Sequence, residues 1–162
     1  MEAPRLSGAS TRALGVAPIR LVLGVGGVTG AIGRGLSPRA AFLAVLVGAV
    51  VLVVIAVGQG SRAGLRPQAE PTPVPPGAVF DPTWKAALLA CVPSTLGVAA
   101  MCAASLAFSP ALAAVLAGVL LSLGGLALVA GAELVAHERR EGVRLFVGRG
   151  PTPVRYVASR TG

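Results

Sequence analysis

Acidic side chains are nearly missing from this chain. Six Asp and Glu stand against 14 Lys and Arg, and none lies between Glu2 and Glu70. Charge of either sign is scarce, at 12% of residues, where a soluble domain carries about 25%. A chain so poor in charge cannot cover a water-facing surface. Aromatics, at 4%, do not interleave with the Arg, which removes the basic, aromatic-studded stripe of a nucleic-acid binder. There is one His, and no Ser/His/Asp, Cys/His or paired-carboxylate arrangement is available, so no enzyme, metal or cofactor is expected. The glycine-rich stretch Thr29–Gly35 lacks the acidic residue about 20 positions on that a dinucleotide turn needs, and no Walker lysine accompanies it.

Cysteine is limited to Cys91 and Cys102. On one helix they stand about 16 Å apart at 1.5 Å per residue, beyond the reach of a disulfide, and read as small packing residues.

What the chain has instead is long apolar runs. Hydrophobic residues make up 54% of its 162 residues, and the mean hydropathy is +0.80. Ala40–Gly58 contains no charged or strongly polar residue, is bracketed by Arg34, Arg39, Arg62 and Arg66, and at about 1.5 Å per residue matches the roughly 30 Å of bilayer hydrocarbon. Its many Val would suit a strand in water, but a lone strand in lipid leaves its backbone unpaired, so a helix is predicted. The run is too long, and sits too far along the chain, for a cleaved signal peptide ending near Ala56-Val57-Gly58. Ala86–Phe108 and Ala111–Ala132 are the next two spans, joined by a Ser109-Pro110 turn into an antiparallel hairpin. Pro93 lies inside the first of these and predicts a kink. Trp84 and Lys85 stand at its mouth as an interfacial anchor.

Residues 1–39 form an N-terminal segment whose Met1–Ala13 reads as disordered. Leu14–Gly33 has the length of a span yet holds Pro18, Arg20 and six Gly, so three or four transmembrane helices are expected. Residues 59–85 form a Pro-rich linker of extended backbone. The tail, 133–162, continues the last helix as ELVAHERREG. Two partly alternating stretches, VRLFV and PVRYV, follow around the turn formers GRGPT and suggest a small hairpin.

The fold class expected is all-α, an integral membrane bundle with a basic tail. Linker and tail share one side in either count and hold nine of the 14 basic residues, which makes that side cytoplasmic, C-terminus included, in the plasma membrane. Four spans would leave only Arg34 and Arg39 opposite.

Two clusters attract attention. Ala114, Gly118 and Ser122 recur at four-residue spacing, a small-xxx-small helix-packing ridge that would let a neighbouring helix approach closely. Glu133, His137 and Glu141 share a helix face near Arg139, Arg140 and Arg144. A metal site would need more ligands, so this is expected to be a salt-bridged juxtamembrane helix, with Glu138 and Glu141 paired to the Arg. The three firm spans hold no ionisable residue, unlike most proton-coupled carriers. The expected role is therefore a non-catalytic accessory or scaffolding protein. Its partners would be the lipid bilayer, another membrane protein or itself through the small-residue ridge, and anionic headgroups through the Arg tail. The alternative is an oligomeric small transporter or channel component, with Pro93, Ser94, Thr95 and Ser105 lining a pathway between protomers.

Overall fold

A computed structural model of the chain describes residues 5–63, 72–75, 78–80, 82, 85, 88, 94–148 and 155–159. Four helices account for most of them: α1 (Ala9–Gly33), α2 (Pro38–Ala63), α3 (Ser94–Phe108) and α4 (Pro110–Glu141). Three, α1, α2 and α4, are long and apolar enough to cross a membrane. The tract that read two ways is thus helical from Ala9 to Gly33, despite Pro18 and its glycines.

Local chemistry sets the helix ends. α2 and α4 begin alike, with a Ser-Pro pair. The Ser37 hydroxyl accepts from the Ala40 amide at 3.3 Å, and the Ser109 hydroxyl from the Leu112 amide at 3.3 Å. Each serine thereby satisfies an orphan donor, and the proline behind it occupies the first helical position, where its missing N–H costs nothing. α1 ends where Gly35 turns left-handed at φ 97°. The Gly35 amide then donates to the Ile32 carbonyl and the Leu36 amide to that of Ala31. Gly142, at φ 64°, ends α4 and releases the chain into a strand.

The chain divides into two compact units. One comprises Met1–Val16, Pro67–Ala90 and Ala127–Gly162, and carries a five-stranded sheet. Its strands are β1 (Arg5–Gly8), β2 (Thr72–Pro73), β3 (Val79–Phe80), β4 (Val143–Gly148) and β5 (Arg155–Ser159), in the order β2-β5-β4-β1-β3. The tail hairpin expected from GRGPT is the antiparallel β4/β5 pair, Val143 opposite Ser159 and Val147 opposite Arg155. β1 joins β4 antiparallel, with Leu6 opposite Gly148 and fully buried. The fold is therefore helical with a small sheet, not all-α. Residues 5–13 are ordered because the β1 backbone finds partners in β4 and β3, while two pairs of linker residues find theirs in β1 and β5. Phe80 and Phe146 meet with ring centroids 5.0 Å apart.

The other unit comprises Ala17–Arg66 and Cys91–Leu126. Small residues make its interior: Ala113, Ala114 and Ala117 are fully buried, and Cys102 packs with Ala113 and Ala117 beside Val28, Leu106 and Leu116. Large apolar side chains instead point outward along α2, Phe42, Leu46, Val50 and Val54 among them. This inverts a water-soluble core and suits a lipid surround, where close backbone approach rather than burial from water holds helices together.

Candidate functional site

The glycines of α1 are where its neighbours approach. A Cβ added at Gly27 would lie 2.8 Å from the Cys102 Sγ and 2.9 Å from the Ala117 Cβ; one at Gly24 would lie 2.7 Å from the Leu121 Cγ. Three of the glycines that argued against a helix, Gly24, Gly27 and Gly30, form its contact surface with α3 and α4, whereas Gly26 and Gly33 face open space. The predicted ridge on α4 behaves likewise. A Cβ on Gly118 would sit 2.5 Å from the Val45 carbonyl oxygen and 2.8 Å from its Cα, and one on Gly48 would collide with the Val115 carbonyl. The Gly118 position of the ridge is closed by α2 of the same chain, with Ala114 fully buried beside it, and Ser122 is half-buried one turn on.

Arg20 lies on this interior stripe of α1. Its Nε donates to the Thr95 hydroxyl on α3 at 2.8 Å, and its Nη1 reaches the Leu123 carbonyl of α4 at 3.5 Å, the outer limit of a hydrogen bond. Thr95 is fully buried, and Arg20 is half-buried. An arginine is thus fixed among three apolar helices by two neutral oxygens. Spacing along the sequence could not reveal it, since its partners lie 75 and 103 residues away. The signal that could have done so is the arginine itself, an ionisable residue inside a span-length apolar tract.

The residues expected to carry charge chemistry in the tail do not come together. Glu133, His137, Arg139, Arg140, Glu141 and Arg144 are all exposed, and among the described residues no three His, Cys, Asp or Glu are grouped as a metal would need. Among the described residues, the carboxylate that is built in is Glu138. One of its oxygens accepts from the Ser10 hydroxyl at 2.9 Å, the other from the Leu145 amide at 3.0 Å, joining the start of α1, the end of α4 and β4. Glu138 was expected to pair with neighbouring Arg; its observed partners are a hydroxyl 128 residues away and a backbone amide.

Of the remaining expected sites, Lys85 is exposed, whereas Trp84, Cys91 and Pro93 lie outside the described residues. Ser94 is exposed. Ser105 is buried and spends its hydroxyl on the Met101 carbonyl of its own helix, at 2.7 Å. Cys102 donates to the Ala113 carbonyl at 3.3 Å. A wide, shallow depression beside Arg34 is floored by Gly30, Ala103, Leu106 and Ala107 and offers no converging polar groups. No known family, curated protein or solved structure matches the chain.

Proposed function

We propose that this protein is a small multi-pass membrane protein of non-catalytic accessory type that associates with other membrane proteins. The observation that carries this reading is the filling of the helical unit. Its helices meet backbone to backbone at Gly48 and Gly118, and Gly27 is closed by the Cys102 Sγ and the Ala117 Cβ, leaving no room at these positions even for a methyl group. Thr95 and Ser105, the hydroxyls best placed to line a pathway, are buried in hydrogen bonds of the chain's own. Such packing favours a solid element with an apolar exterior over a conduit. The decisive experiment is purification of the full chain from its own membranes in a mild detergent. A larger protein should accompany it in fixed proportion, and vesicles holding the chain alone should stay impermeable to ions and small polar solutes. A stable lone monomer, or vesicles that leak, would overturn the assignment.

The sheet bears on membrane topology. β1 precedes α1 and α2, β2 and β3 follow them, and β4 and β5 come after α3 and α4. Strands that hydrogen-bond to one another lie on one side of a bilayer, so each pair of helices between them crosses an even number of times. This supports four crossings, with α3, an apolar helix of 15 described residues, as the fourth beside the three long ones, and with linker and both termini on one face. Only Arg34 and Arg39 then lie opposite, Arg20 is within a span, and every other Lys and Arg is on the sheet side, which the positive-inside rule makes cytoplasmic. A reporter active only outside the cytoplasm should work when fused at Ser37 and be silent at the C-terminus; the reverse pattern would refute this orientation.

A further inference from the structure

We infer that Arg20 is a docking charge for a carboxylate that a different protein carries inside the membrane. The inference rests on the accessory reading above and names what the partner must present. A guanidinium keeps its positive charge in proteins and has five N–H donors. Here the two oxygens that receive it, on Thr95 and Leu123, are neutral, and the second is at the limit of range. The unit that holds Arg20 supplies no counter-charge of its own, because neither Ala17–Arg66 nor Cys91–Leu126 contains a single Asp or Glu.

Three sources could provide one. Depth disfavours lipid phosphate. Arg20 is about 12 Å along the helix axis from Arg12, the nearest charge on α1, and about 20 Å from Gly33. On α4, Leu123 is similarly about 20 Å from Pro110 and about 15 Å from Glu133, the first charge on that helix. Both helices therefore place Arg20 inside a hydrocarbon layer whose half-thickness is about 15 Å, below the level of the headgroups. A second copy of the chain is disfavoured by charge, since its apolar helices carry no acidic residue and would bring a second Arg20. The remaining source is an Asp or Glu within a membrane helix of another protein. Its two oxygens match the fork of a guanidinium, and it needs a cation as much as Arg20 needs an anion. Arg20 is not fully buried, which leaves part of it accessible to such a partner.

The test uses the full chain, fluorescently labelled, in phosphatidylcholine vesicles with synthetic Leu/Ala transmembrane helices bearing one central Glu, Gln or Leu. Energy transfer should show the wild-type protein binding the Glu helix about tenfold more tightly than the other two, the size expected of a polar contact between spans. Arg20→Met should bind all three alike, and Arg20→Lys should keep part of the preference. Equal binding of the three helices by the wild-type chain overturns the inference without appeal to any variant. So does a Glu preference that vanishes when phosphatidylglycerol is added, which would make lipid phosphate the occupant. Self-association that Arg20→Met abolishes would overturn it in favour of a second copy. A larger partner that co-purifies while the Glu helix gains nothing would leave the accessory function standing and remove this inference alone. A Glu preference with no co-purifying partner would do the opposite.

Discussion

Among the described residues, two charged side chains are hydrogen-bonded to distant parts of the fold, and they are built differently. Glu138 and Arg20 each bond a hydroxyl on another helix, Ser10 in one case and Thr95 in the other, at 2.9 and 2.8 Å. Glu138 is complete: each carboxylate oxygen has a donor, one of them a backbone amide within β4. It belongs to a chain segment rich in Arg, where an anion is welcome. Arg20 is incomplete. It has one good neutral acceptor and one marginal one, in a unit without any acidic residue. A charge satisfied on all sides is a structural fastening. A charge held in place by neutral groups and left without its counterpart is a site awaiting one.

The contrast is tested most forcefully at Glu138. Replacement by Ala strips partners from the Ser10 hydroxyl and the Leu145 amide together. Leaving two part-buried donors unmet should cost about 1–3 kcal/mol. The loss should be local to the sheet-bearing unit. Hydrogen exchange at Leu145 and its β4 neighbours should accelerate, while the amides of α2 keep their protection. Unchanged exchange in β4 would show that Glu138 is an ordinary surface carboxylate and erase the difference drawn above.

These two residues also show where the sequence is readable. The helices α2 and α4 were legible because each holds an uninterrupted apolar run of span length, the first bracketed by Arg and the second opened by the Ser109-Pro110 turn. The β4/β5 hairpin was legible from its turn formers, since it is local. β1 was not. Four residues carry no clear alternation, and their partners in β3 and β4 are far along the chain. α1 was obscured by its own function in packing, because glycine lowers helix propensity in water but brings backbones together in lipid. At the candidate site, helical spacing correctly put Glu133, His137 and Glu141 on one face, yet that face is solvated. What makes Glu138 and Arg20 distinctive is their distant partners, and no i, i+4 rule contains those.

Arg20 should yield the smaller effect, and its smallness is informative. Arg20→Met replaces the guanidinium with an unbranched apolar side chain that can follow much of the same path. The Thr95 hydroxyl loses its donor, a loss on the order of 1 kcal/mol. Against this, a charge is withdrawn from a unit that offers it no counter-ion, and replacing a buried charge by an apolar side chain is often neutral or stabilising. The two terms oppose, so unfolding of the purified chain in mixed micelles, followed by far-ultraviolet circular dichroism, should shift by less than about 1 kcal/mol. A large destabilisation would mean that Arg20 is a fastening like Glu138, fully satisfied within the chain. A near-zero shift means that the fold gains almost nothing from keeping this cation among apolar helices. Its presence is then explained by what it meets outside the chain, in the same membrane.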